Sequence, residues 1–440
     1  MNAEGTRLEP TQPPAETAIG RGPVWWTALG DPAVNELAET ALTANPTLDR
    51  AVAAVAEARA ATGQDRAAQL PTLNFEASAT KDWADTSSEQ DGADQTSGDA
   101  GFSVGWEIDL FGRLRSRTTA SARRLEARVA DADGARLSLI ADVADGTLAL
   151  RACDHSRAAL DSEIASRRHV LALTVERRDA GLDADIDVAL SETGLATART
   201  TLALRRQQCA ELTNALVVLT GSSREAVSAV LADAPDQPVP PPLPVSLPAG
   251  VLASNPGVAA AEREVAASWA DIEAARADRM PRLDLGAALA GQWLNALGST
   301  TGSAPGSLGA SLIAPLFDGG QGRAAASAAQ ARHEAALADL DMALRVAARD
   351  VENALAAGVS ANTRIASAQD AYLAARRTLQ AREAQRQAGA ISEFEIEDAR
   401  RQLAAALDSL IAAVRDAGQA WISLVRSAGP AVLIQENPES

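Results

Sequence analysis

Twice along this chain the hydrophobic period switches from the helical value of about 3.6 to the strand value of 2 and back, and few folds accommodate that pattern. In the first switch Leu73, Phe75, Ala77 and Ala79 alternate with Asn74, Glu76 and Ser78. Phe102, Val104, Trp106, Ile108 and Leu110 then alternate with Ser103, Gly105, Glu107 and Asp109. In the second, Leu283, Leu285, Ala287 and Leu289 precede Leu308, Ala310, Leu312, Ala314 and Leu316. Each run is about 9 to 11 residues, the length a tilted transmembrane β-strand requires. The pattern predicts strands over 71–81, 101–111, 281–293 and 306–317. The Gly-, Ser-, Thr- and Asp-rich stretches Lys81–Asp99 and Asn295–Pro305 read as their hairpin loops.

The two switches belong to a duplication. Asn45-Pro46 recurs as Asn255-Pro256 and Leu70-Pro71 as Met280-Pro281, both at an offset of 210, and Gly181 recurs as Gly389 at 208. The Pro-rich run 234–248 cannot be helical and separates a first repeat, 32–233, from a second, 249–428, with an extended N-terminal segment 1–31 and a tail 429–440. Each repeat reads as a helix, a strand pair and a long helical hairpin. In the second hairpin one heptad seam runs from Leu340 through Val351, Gly358 and Ile365 to Leu379. Another runs from Ile396 through Leu403 and Leu410 to Leu424. A helix from near Arg113 to Arg178 would extend on the order of 100 Å, too long to fold back into one globule.

Composition narrows the function. Among 440 residues, 58 acidic against 40 basic side chains leave a net charge of −18, which disfavours a nucleic-acid partner. An aromatic content of 3% and abundant alanine favour closely packed helices. His155, His169, His333, Cys153 and Cys209 are too few and scattered for a metal site, and no His-centred constellation or phosphate loop suggests an enzyme, so neither metal nor cofactor is expected. No apolar run suits a transmembrane helix. Met1 to Pro14 lacks the zones of a secretory signal, so the chain reads as cytoplasmic or as a mature or shortened form. Four amphipathic strands cannot stand alone in a bilayer, because open edges leave backbone groups unsatisfied in hydrocarbon. Closure by several chains is required. Three copies give a 12-stranded barrel wide enough for a water-filled lumen, whereas two give 8 strands with an interior largely filled by side chains. Half-buried strands of a soluble protein are the alternative, against which stand the duplication and the flanking Trp83, Trp106, Phe111, Trp293 and Phe317.

The segments Trp25-Trp26-Thr27-Ala28-Leu29-Gly30-Asp31-Pro32, Ala41-Leu42-Thr43-Ala44-Asn45-Pro46, Trp106-Glu107-Ile108-Asp109-Leu110-Phe111-Gly112-Arg113 and Pro315-Leu316-Phe317-Asp318-Gly319-Gly320 carry a resemblance. From about Val24 to Ser427 the chain resembles the outer membrane efflux protein family, TolC-like, and its NodT-type lipoprotein branch. The resemblance implies a mainly α fold with a membrane β-barrel: a homotrimer whose barrel sits among the lipids of a Gram-negative outer membrane, above a periplasmic α-helical barrel. It also implies two partners, a periplasmic adaptor and an inner-membrane pump of the resistance-nodulation-division type. Members of that branch begin with a signal peptide and a lipidated Cys, neither of which this sequence shows.

The resemblance further assigns adaptor docking to the Gly-centred tips, here Ala180-Gly181-Leu182 and Ala388-Gly389-Ala390, and a periplasmic gate to acidic residues shortly after them. Those positions hold Asp187, Glu395 and Asp398, while the position two after the second Gly, often an Arg, holds Ile391. Rings of such acids around an axis would favour cations. The same acids would also be stabilised as ordinary residues of a helix N-terminus, and the glycines as ordinary turn residues. Cys153 and Cys209 lie 28 residues before and after Gly181. Buried inert thiols and a disulfide both remain open, since helix axes about 8 to 10 Å apart argue against pairing. Rival readings are a type I protein secretion duct and a soluble periplasmic coiled-coil scaffold or adaptor; the latter leaves the strand pairs unused.

Overall fold

A computed structural model of the chain describes residues 24–83, 95–232, 238–243, 249–296 and 299–429. The expectations for residues 1–23, for the middle of the first hairpin loop, for most of the Pro-rich run and for the tail beyond Gly429 lie outside these. Two compact units are present, and each draws on both repeats: Met1–Val52, Ala130–Ala259 and Ala343–Ser440 form one, Ala53–Val129 and Ala260–Met342 the other.

The helices are α1 (Pro32–Ala44), α2 (Pro46–Ala67), α3 (Arg113–Asp179), α4 (Asp185–Thr220), α5 (Arg224–Ala232), α6 (Pro256–Ala277), α7 (Gln321–Gln387) and α8 (Glu393–Ala428). Among the described residues, none is long and apolar enough to cross a membrane by itself. The end of the N-terminal segment is not extended. Trp25–Leu29 forms a 3-10 turn that buries Trp25, Trp26 and Leu29, because two indoles gain more from the core than from water. Asp31 then caps α1, its Oδ1 accepting from the Ala33 and Val34 amides. The first repeat opens with two helices rather than one, since Pro46 cannot supply the amide that continuation of α1 would need.

In the first unit, Asp31 is also held by Arg151 of α3, Nε to Oδ2 at 2.7 Å and Nη2 to Oδ1 at 2.8 Å, with both side chains buried. Around this pair a core forms from Trp25, Leu29, Leu37, Ile140, Leu148, Leu216, Trp421 and Ile422. The recurrent Asn-Pro landmarks do the same work twice. Asn45 Nδ2 donates to the Leu219 carbonyl at the end of α4, and Asn255 Nδ2 to the Ser427 carbonyl near the end of α8. Each Asn also accepts from a first-turn amide of the helix it starts, Thr47 or Gly257.

The second unit carries an antiparallel sheet of β1 (Thr72–Asp82), β2 (Gln95–Ile108), β3 (Arg282–Ala296), β4 (Ser299–Ser303) and β5 (Gly306–Ile313). β3 lies between β2 and a last strand broken into β4 and β5. The break falls at Ala304-Pro305, where Pro305 has no amide to donate although its carbonyl still accepts from Ala290. Two expectations are therefore corrected. The presumed loops are partly strand, because Gln95–Asp99 and Ser299–Ser303 continue the ladders. The runs also stop before Leu110 and Leu316. Downstream of Ile108 the Leu110 amide turns back onto the Ile108 carbonyl, and the Asp109 carboxylate accepts from the Leu114 and Arg115 amides of α3.

Candidate functional site

The hairpin tips are built from local chemistry. At the end of α3 the Gly181 amide donates to the Arg178 carbonyl and the Leu182 amide to the Arg177 carbonyl, both at 2.8 Å. At the end of α7 the Gly389 and Ala390 amides repeat this on Arg386 and Gln385, both at 2.9 Å. This paired closure of the last helical carbonyls requires a left-handed residue, and both glycines have φ of 73°. The side chains that follow are fixed by the same repeat. Asp187 Oδ2 accepts from the Ala184 amide and Glu395 Oε2 from the Ser392 amide, each at 3.0 Å. These two acids are equivalent third-position residues of α4 and α8, satisfying an amide that a helix start leaves free.

Each acid singled out by the sequence therefore has local partners. Glu395 Oε1 also accepts from Arg382 of α7 at 3.4 Å. Asp398 accepts from Arg401 Nη2 at 2.9 Å and Gln402 Nε2 at 2.7 Å, with its side chain 57% exposed. Ile391 is half-buried.

Three features escaped the sequence reading. Arg177 grips Asp183 across the first turn with two bonds, of 2.8 and 2.9 Å, and their hydrogen bonding holds the Asp183 carboxyl below the usual range and raises Arg177. The equivalent positions 208 residues on are Gln385 and Ile391, so this clasp belongs to the first tip; its signal was an Arg and an Asp flanking the Gly turn. Leu182, Ile186 and Leu190, four residues apart, expose an apolar ridge on the first tip. Glu397, between the two acids named above, is buried, bonded to Arg400 through Oε1 and without a partner at Oε2.

Further up the first hairpin, Cys153 and Cys209 form a disulfide with Cα atoms 5.6 Å apart. The interaxial distance that argued against pairing overlooks that each Cα stands about 2.3 Å off its axis toward the partner helix.

The sheet of the second unit has two unlike faces. On one, Leu73 pairs with Val104, Val104 with Ala287 and Ala287 with Leu308; the neighbouring row is Phe75, Phe102 and Leu289. On the other, Asn74, Ser103, Ala288 and Ser307 form one row and Ser78, Asp99, Gln292 and Ser303 another. The apolar face is open, with Leu73 at 68%, Phe75 at 62% and Leu308 at 87% exposed. Its margins carry Trp106, whose Nε1 donates to the Gln69 carbonyl, and Trp83, over which Lys81 sits at 5.6 Å. An uncovered apolar face backed by a polar one suits hydrocarbon on one side and water on the other.

The family described as outer membrane efflux protein matches residues 37–222 and 247–430, once in each repeat. The chain is 29% identical over 415 residues to the pyoverdine export outer membrane protein OpmQ of Pseudomonas aeruginosa, covering 92% of this chain and 86% of that protein. It is 26% identical over 397 residues to nodulation protein T of Rhizobium leguminosarum bv. trifolii, covering 89% and 84%. Among solved structures, the outer-membrane channel OprN superposes with a TM-score of 0.79 at 28% identity and 92% coverage of both chains.

Proposed function

The chain belongs to the outer membrane efflux protein family, and from that membership we infer how this particular exit duct works. It is an efflux channel of a Gram-negative outer membrane, operating with an adaptor and an inner-membrane pump. The observation that carries the finer reading is the two-faced sheet with open edges. Among the described residues, β1 has a partner on one side only, and so has the β4/β5 strand. In hydrocarbon such edges demand partners. Three copies joined edge to edge give a closed 12-stranded barrel with the Asn74 and Ser78 rows facing its water-filled lumen. The α3–α4 and α7–α8 hairpins stand in the periplasm. Their tips, around Gly181-Leu182 and Gly389-Ala390, receive the adaptor, and the pump is of the resistance-nodulation-division type.

Asp187, Glu395 and Asp398 form the gate in this reading, supported by local bonds that fix where each carboxylate stands: amide caps for Asp187 and Glu395, Arg401 and Gln402 for Asp398. The test neutralises charge while leaving each side chain one acceptor oxygen, enough for the Glu395 cap. Glu395→Gln and Asp398→Asn keep an acceptor oxygen, so the helix start survives. The paired variant is expected to lower cation preference or raise single-channel conductance in planar bilayers. Unchanged values would remove both residues from the gate.

A further inference from the structure

The two hairpins share a plan but are held differently at one height. In the first, the Cys153–Cys209 disulfide joins α3 to α4 at positions 28 residues either side of Gly181. Counting the same distance from Gly389 gives Ala361 and Ala417, both buried and neither able to bond covalently. One turn from the staple, α3 carries the buried Leu150; the equivalent residue of α7 is Gly358. A glycine at a heptad seam position leaves a notch where a side chain would pack. Leu243 of the inter-repeat connector fills it. A Cβ placed on Gly358 would overlap Leu243 Cδ1 and lie 3.2 Å from its Cγ. Leu243 also packs on the main core, whereas Val239 is 79% exposed. The connector thus lends α7 the apolar side chain that α3 owns.

The chemistry of the connector makes this contact decisive. Pro238, Pro240, Pro241 and Pro242 have no amide to donate, so this stretch cannot be held by a backbone ladder. Among the described residues of the connector, the packing of Leu243 is the anchor the structure shows, and an apolar knob in a notch is reversible where a disulfide is not.

We propose that residues 238–243 of the inter-repeat connector form a releasable strap: Leu243 seated in the Gly358 notch holds α7 in its resting position, and unseating it frees α7 while α3–α4 stays covalently fixed. The consequence for opening rests on the exit-duct reading above; the strap itself does not.

Two variants of the full chain, purified in detergent, test the strap. Leu243→Ala removes the knob. Gly358→Ala fills the notch and expels the knob, and since alanine is the better helix former this change does not threaten folding of α7. Hydrogen exchange read by mass spectrometry is expected to quicken at least tenfold in α7 peptides around Gly358 in both variants, with α3 peptides around Cys153 unchanged. The double variant should add little to either single one. Unchanged α7 exchange, or equal quickening in α3 and α7, overturns the strap. In planar bilayers both variants should raise open probability; faster α7 exchange with unaltered opening overturns its role in gating. If the unaltered chain forms no channel, the duct reading fails instead, and the exchange result alone decides the strap.

Discussion

At the scale of single residues, the most informative groups are those whose partners lie far off in sequence. Asn45 and Asn255 each bond a helix-end carbonyl more than 170 residues away while starting the next helix. Replacing either by Ala removes both an end carbonyl's partner and an amide's, and is expected to cost about 1 to 2 kcal/mol, read as a lowered melting temperature in detergent. The Asn-Pro repeat was legible in the sequence; the carbonyl at its other end was not, because nothing local marks Leu219 or Ser427 as acceptors. The Asp31–Arg151 pair was hidden for the same reason. Asp145 supplies a pH prediction. Burial pushes its carboxyl up to about 7, against the pull of Arg426 on α8 and with the push of Asp142 on α3, and one of its oxygens lacks a partner. The folded chain therefore holds a proton there that the unfolded chain releases near pH 4, so stability falls as pH rises between about 4 and 7 and levels off above. The difference amounts to at most about 4 kcal/mol. Asp145→Asn should flatten this slope and raise the melting temperature at about pH 8; an unchanged pH profile would mean Asp145 is ionised in the folded chain.

Elements were legible where period carried them and not where a single residue interrupts it. The heptad seams from Leu340 to Leu379 and from Ile396 to Leu424 coincide with α7 and α8, since a stripe must be buried whatever its partner. Pro46 splits what the period read as one helix, the strand before Pro305 was read as loop, and α5 was too short to announce itself. At the tips, sequence offered two meanings for Gly181, Gly389, Asp187 and Glu395, and local geometry accounts for one of them: turn closure and amide capping. Docking is separable by substitution. Asn tolerates a left-handed conformation whereas other L-residues meet a cost of about 1 to 2 kcal/mol. Gly181→Asn and Gly389→Asn are expected to leave efflux near normal, and Gly181→Arg or Gly389→Arg to abolish it while the oligomer persists. Retained efflux in the Arg variants would mean that the tips are not where the adaptor sits.

For the whole molecule, the decisive property is one that a single chain cannot satisfy by itself. The strand alternation foretold two faces, and the ladder register delivers them: Leu73, Val104, Ala287 and Leu308 share one side of the sheet, Asn74, Ser103, Ala288 and Ser307 the other. The length of the strands was less legible, because Gly, Ser and Thr beyond the apolar runs read as loop although they continue the ladder. Their edges remain open in one copy, and a bilayer tolerates no open edge. The mass of the purified full chain, taken by native mass spectrometry from micelles and again after detergent removal, tests this most directly. A trimer that persists only with detergent is expected. A monodisperse monomer that needs none would mean the sheet belongs to a water-soluble protein, and the exit duct would be contradicted.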